Sequence, residues 1–326
     1  MNEQLVCKQL RNQFGKTGWQ LLIYYGIMNI CVTAVMFFQI ISAIAASLLS
    51  GYPLSQQAID RVIEDAAGSG LGYLLALAIG LIILVCWKKG AFCFQTIWKK
   101  DKSMTVGSFF AVFVLFFAAQ AVAQIWTAVL ELLLNQFGCS LDVLFDNTAL
   151  QSDGVSAFLY ASVFAPVCEE ILFRGLVLRS LQPYGKKFAV LASAFLFGVF
   201  HGNIIQTPYA FLVGLVLGYV TVEYSMGWAV LLHLLNNMVL ADFMTRLSEL
   251  LPAGVGDLIT LVFIWVCVIA AVSVCVVKRR EIKAYLTQKK MHPWCMKSFF
   301  TAPGIVVYSA VLLGNLLLTT VMLFFV

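Results

Sequence analysis

Two adjacent carboxylates, Glu169 and Glu170, interrupt an otherwise apolar run, Ala165-Pro-Val-Cys-Glu-Glu-Ile-Leu-Phe-Arg174. A charged side chain at the bilayer centre costs about 2.5–3.5 kcal/mol even on the most lenient scale, so such residues face a bundle interior and serve a function. Neighbouring helix residues point about 100° apart, so the two glutamates cannot share one role. Glu170 and Arg174 stand at i, i+4 and can pair along one face. Glu169 is left on another face, free to act as a general base on water. Pro166 removes a helix hydrogen bond just upstream, which opens or kinks the helix near the pair. Cys168 is a thiol in apolar surroundings and reads as inert.

Two further motifs supply imidazoles. In Phe197-Gly-Val-Phe-His201-Gly202, His201 is flanked by Gly198 and Gly202, a spacing that lets another helix approach closely. A neutral imidazole there could hold a water or a metal against Glu169; the plainer alternative is a ring bonded to a neighbouring backbone. In His233-Leu-Leu-Asn236-Asn237, His233 and Asn237 share a face, and both can donate hydrogen bonds as an oxyanion hole requires. The alternative for these two is polar packing between helices, and Asn236 turns away. Carboxylates and imidazoles together inside a membrane point to acid–base chemistry, foremost hydrolysis. Gly214-x-x-x-Gly218 reads as helix packing, Glu223 as an ordinary helix-end charge and His292 as a surface residue of a basic loop.

The elements that must carry these residues follow from composition. The chain has 326 residues, 61% hydrophobic and 11% charged, against about 25% charged in soluble domains. With a mean hydropathy of +0.92 and recurrent apolar runs of about 20 residues, it reads as an all-α polytopic membrane protein. The alternation of a barrel is absent. Nine spans are expected, near 19–47, 70–87, 106–135, 155–181, 187–204, 207–224, 227–246, 256–277 and 303–326. The first three form residues 1–154, the fourth to seventh a catalytic core over 155–246, and the last two, with a basic loop, residues 247–326. The net charge of +5 gives no reason to expect nucleic acid, because the basic residues cluster in a few loops.

Those loops orient the bundle. Lys8, Arg11 and Lys16; Lys88, Lys89, Lys99, Lys100 and Lys102; Arg179, Lys186 and Lys187; and Lys278, Arg279, Arg280, Lys283, Lys289, Lys290 and Lys297 all belong on the cytoplasmic side. The alternate loops carry Asp60, Glu64 and Asp65, then Asp142, Asp146 and Asp153. The expected topology has the N-terminus inside and the C-terminus outside, in a plasma membrane, bacterial by its lack of targeting signals. The first apolar run is too long for a signal peptide and reads as an uncleaved helix. Only Cys139 falls in an outer loop, and Cys93 is among those facing the reducing side, so no disulfide is expected.

Taken together, Glu169-Glu170-x-x-x-Arg174, Phe197-x-x-x-His201 and His233-x-x-x-Asn237 resemble the motifs of the CPBP (CAAX protease and bacteriocin-processing, or Abi) family of intramembrane proteases. The resemblance covers about residues 155–245. It implies that Glu169 and His201 activate the attacking water, that His233 and Asn237 stabilise the oxyanion, and that Glu170 with Arg174 shapes the site. It also implies a membrane-associated peptide or protein substrate and a site reached from the cytoplasmic side. Two mechanisms stay open: water activated without metal, which is slightly favoured, or zinc held by Glu169, His201 and His233. The absence of a His-Glu-x-x-His helix removes the commonest zinc-protease signature. The competing classes are a non-catalytic immunity or scaffold protein and a proton-coupled transporter, since buried Glu and His also build proton relays.

Overall fold

The computed structural model describes residues 3–52, 54–88, 96–141, 154–287, 293–322 and 324. Regular structure there is entirely helical. The helices are α1 (Glu3–Ser50), α2 (Gln56–Ala67), α3 (Leu71–Lys88) and α4 (Val106–Asn135), then α5 (Val155–Tyr184), α6 (Lys186–Phe200) and α7 (Gln206–Glu223). They continue with α8 (Met226–Leu250), α9 (Val255–Val277), α10 (Arg279–Thr287), α11 (Pro293–Phe300) and α12 (Pro303–Met322).

Among the described residues seven helices are long and apolar enough to cross a membrane: α1, α3 with α2 before it, α4, α5, α8, α9 and α12. Large apolar side chains such as Phe38, Leu132, Val266 and Leu317 point outward on them, as lipid contact demands and water would forbid. The expected spans at 187–204 and 207–224 correspond to α6 and α7. The 15 residues of α6 reach about 22 Å, short of the roughly 30 Å hydrocarbon core. These two helices pack chiefly on each other at the centre of the bundle. A methyl on Gly214 would meet Ala194 at 3.2 Å and one on Gly218 would meet Val190 at 3.1 Å, so that motif is indeed a packing surface.

The first helix belongs to the fold from its first turns. Phe14, Leu21 and Tyr24 are buried, and the Phe14 ring meets Tyr184, Phe188 and Phe299. It crosses α12 so closely that a Cβ on Gly18 would collide with the Gly304 backbone. Gly18→Leu is expected to lower stability by about 1–3 kcal/mol, read as a lower melting temperature in detergent. An unchanged melt would mean that the crossing tolerates a side chain.

Basic segments far apart in sequence gather at one end. Arg11 donates to the Thr301 carbonyl at 3.2 Å. Arg179 donates to the carbonyls of Lys99 at 3.0 Å and Thr221 at 3.2 Å. Lys187 donates to the Leu286 carbonyl at 2.7 Å. Glu223 is not the ordinary helix-end charge expected: it is buried and bridges Lys102 at 2.7 Å and Lys186 at 3.0 Å. It ties the loop before α4 to the start of α6, because a carboxylate taken out of water needs paired cations. Lys89, Cys93, Asp142, Asp146, Asp153, Lys289, Lys290 and His292 lie outside the described residues. The eight described cysteines are unpaired.

Candidate active site

The carboxylates sit on a short α-helical stretch, Ala165–Glu170, between two widened π-helical stretches, Leu159–Phe164 and Ile171–Leu178. π-Turns are rare and cluster at functional sites. Pro166 accounts for the first. It has no N–H to give and its ring crowds the carbonyl of residue 162, so the helix widens just before it rather than bending sharply. A widened turn displaces carbonyls from the regular ladder, and in lipid these need other donors. Two side chains from neighbouring helices supply them: Ser193 Oγ donates to the Phe173 carbonyl at 2.8 Å, and Asn237 Nδ2 to the Ala161 carbonyl at 2.8 Å. The segment carrying both glutamates is thus pinned on either side.

The expected i, i+4 pair forms. Arg174 Nη1 lies 3.2 Å from Glu170 Oε1, and both side chains are fully buried. The guanidinium also lies over the Phe197 ring, 4.2 Å from its centroid, a cation–π contact that burial strengthens. Phe197 is a hub that its place in the Phe197-x-x-x-His201 motif hints at without explaining. Its ring meets His201 edge-on at 4.8 Å and His233 at 5.9 Å.

His233 bridges the two carboxylates. Its Nδ1 is 2.9 Å from Glu170 Oε1 and its Nε2 is 3.7 Å from Glu169 Oε2. Glu170, held by Arg174, accepts, so Nδ1 carries the proton of this bond. His201 Nδ1 lies 2.9 Å from the Phe197 carbonyl, which can only accept. In the neutral ring the lone pair is therefore on Nε2. Glu169, His233 and Arg174 are within electrostatic range of His201, and Tyr24 and Tyr160 within that of Glu169. The glutamate itself keeps 18% of its side chain exposed.

His201 can stand there because α6 stops at it. Gly202 adopts φ +56°, the left-handed conformation that glycine supplies at helix ends, and its N–H bonds to the Val199 carbonyl at 3.0 Å. Gly202 is therefore a cap as well as a packing position, since a methyl there would sit 3.3 Å from Asn315 Nδ2 of α12. Gly198 does pack as expected, since a methyl there would sit 3.0 Å from the Thr207 carbonyl oxygen. Glu170 and His233 also lie at similar levels. Counted inward from Arg179 and from Met226, which share the basic end, Glu170 and His233 lie about 13 and 10 Å deep. Counting from Lys186 would place the glutamates deeper, because the chain adds a further turn, Gln182–Tyr184, beyond Arg179.

Asn237 does not stand free beside His233. Besides its bond to Ala161, its Oδ1 accepts from Asn236 Nδ2 at 3.0 Å. Asn236 faces away from the carboxylates but is buried, and its Oδ1 accepts from Tyr209 Oη at 2.7 Å and from Gln120 Nε2 at 3.3 Å. This chain of polar groups was missed from sequence. A glutamine inside the apolar span at 106–135 was the available signal. Asn237→Leu orphans the Ala161 carbonyl and is expected to cost about 1–3 kcal/mol, visible as a lower melting temperature. A variant as stable as wild type would remove the bracing role.

Among the described residues no three His, Cys, Asp or Glu side chains are gathered so as to hold a metal ion. Nδ1 of His233 is committed to Glu170 and Nδ1 of His201 to Phe197. That leaves both Nε2 atoms and the Glu169 carboxylate as the groups that could act on a water or hold a metal, since a metal-binding imidazole commonly gives its other nitrogen to such an acceptor. The structure gathers Glu169, Glu170, Arg174, His201 and His233 around Phe197, from α5, the end of α6 and α8, with Asn237 one helical turn beyond His233. No curated protein and no solved structure matches the chain. Residues 151–239 match the family model described as "Rce1-like: Type II CAAX prenyl endopeptidase Rce1-like". The segment bearing the six polar residues is thus CAAX-protease-like in sequence, carried within a larger all-helical membrane bundle.

Proposed function

We propose that the chain is an intramembrane endopeptidase of the CPBP (Abi) kind, which hydrolyses a peptide bond of a membrane-associated protein or peptide. The observation that supports it best is the division of labour among the imidazoles. His201 offers an unprotonated Nε2 near a partly exposed carboxylate, Glu169. His233 is held between Glu170 and Glu169.

In this reading Glu169 takes a proton from water, His201 Nε2 orients that water, and the oxygen attacks the carbonyl carbon. The oxyanion accepts a hydrogen bond from His233 Nε2, with Glu170 holding Nδ1. Donation from both ring nitrogens of His233 requires the doubly protonated ring, which stands between Glu170 and Glu169. The second amide hydrogen of Asn237 is available to the same oxygen, its first being given to Ala161. Glu169 then returns its proton to the departing amine. Phe197 and Arg174 act through the groups they hold. Positive loops on the inner side would put the N-terminus in the cytoplasm and the C-terminus outside, in a plasma membrane.

The test is cleavage of a diverse fluorogenic peptide library by detergent-purified protein, with and without a zinc chelator. Cleavage that survives the chelator is expected. Loss of cleavage on chelation, restored by zinc, would overturn the metal-free version.

A further inference from the structure

Positive charge crowds the end of α9. Lys278, Arg279, Arg280 and Lys283 follow one another there with Glu281 among them, four cations less one carboxylate, a net charge of +3. Lys278 is taken by Glu281 at 3.0 Å. Arg279 and Arg280 are exposed, and neither forms an ion pair or side-chain hydrogen bond with another described residue.

An apolar furrow runs from Arg279 into the membrane. α4 and α9 pack side by side, but Ala118 and Ala121 of α4 and Ala271 of α9 are too small to fill the space between them. These alanines floor a groove of about 550 Å³, and its walls include Val122, Ile125 and Trp265, whose side chains are exposed. From Arg279 to Trp265 it follows α9 for about 21 Å, deeper than one leaflet of hydrocarbon, roughly 15 Å as half of the bilayer core. A second cleft, of about 630 Å³, adjoins it toward the basic end. The two share Cys275. Ala111, Leu115, Ala118, Val122 and Ile125 recur at i, i+4, i+7, i+11 and i+14, so one face of α4 lines both. The second cleft carries Lys102 and Lys278, and its two carboxylates, Glu223 and Glu281, are already paired with them. α10 closes its far side, with Tyr285 edge-on to Tyr219 of α7 at 5.5 Å.

We propose that the adjoining clefts bind an anionic phospholipid from the leaflet at the basic end, with one acyl chain in the alanine-floored furrow, the other in the second cleft and the phosphate on Arg279. An apolar groove alone would take any lipid; the charge at its mouth selects. A guanidinium holds a phosphate through two parallel hydrogen bonds, and Arg279 has its donors free. Basic residues directly after a membrane helix attract anionic lipid, whereas a zwitterionic headgroup brings its own cation against them. None of the carboxylates or imidazoles of the candidate active site lines either cleft, so the inference does not rest on the endopeptidase reading.

The test is native mass spectrometry of the full chain in detergent, titrated with dioleoylphosphatidylglycerol or dioleoylphosphatidylcholine. The first phosphatidylglycerol adduct is expected at about fivefold lower lipid concentration than the first phosphatidylcholine adduct. Arg279→Gln should abolish that preference. Arg280→Gln removes the same charge from a residue that lines neither cleft, and should keep it. Val122→Trp fills the furrow from an exposed position and should weaken both lipids. All three changes are at exposed side chains, and an unchanged melting temperature without added lipid would show that each variant is folded. Equal uptake of the two lipids by wild type would overturn the site. Equal losses in the two arginine variants would reduce it to diffuse attraction by a basic surface, and undiminished uptake by Val122→Trp would remove the furrow from it.

Discussion

Glu169→Gln lowers turnover about 10³-fold or more and leaves the fold intact. Glutamine keeps the size and hydrogen-bonding reach of glutamate but cannot take a proton from water, and a positioned general base contributes about 10²–10⁴-fold. The fold should not notice, because the side chain is partly exposed and its nearest ionic partner, His233, is 3.7 Å away. Measured with the same peptides, the variant should lose kcat with KM little changed, since only the transition state uses the proton transfer. Cleavage at the wild-type rate would remove Glu169 from the chemistry. The substitution also separates the function classes: a carrier would lose proton-linked flux, and a scaffold would keep partner binding in full.

The second large effect is on stability. Arg174→Leu is expected to cost about 3–5 kcal/mol, because it strands the Glu170 carboxylate in a fully buried position. The loss is read as a large drop in melting temperature in detergent. The pair is under-satisfied even in the wild type: Glu170 Oε2 and Arg174 Nε and Nη1 lack a hydrogen-bond partner among the described residues. The double variant Glu170→Leu with Arg174→Leu should therefore recover much of the stability while losing the hold on His233 Nδ1. Arg174→Lys should not substitute, since an ammonium lacks the planar face that stacks on Phe197. A melt for Arg174→Leu within about 1 kcal/mol of wild type would show that the pair does not stabilise the bundle.

Much of the site was legible because ionisable groups are so costly in lipid that few survive without a role. Glu169, Glu170 and Arg174 stand out against their apolar neighbours, and the i, i+4 pairing of the latter two follows from helix geometry alone. The same reasoning placed the spans at 106–135 and 256–277 within a residue of α4 and α9. It failed where a residue's role depends on a partner distant in sequence. The bond of Asn237 to the Ala161 carbonyl, 76 residues away, left no sign in its motif. Glu223 was expected as an ordinary helix-end charge; it does end α7, but it is clamped by Lys102, 121 residues away.

The sequence by itself determined that the chain is helical and membrane-embedded and that two carboxylates, two imidazoles, an arginine and an asparagine are its chemical capital. Hydropathy, helical period and the cost of buried charge are local quantities, readable without a fold. The tertiary structure decided which nitrogen of each histidine is committed. It also decided how π-turns around Pro166 aim the glutamates, and that Phe197 stacks Arg174 while its ring edges meet both imidazoles. Those facts depend on which helices touch and at what depth, and contacts between side chains far apart in sequence leave no periodic trace in it.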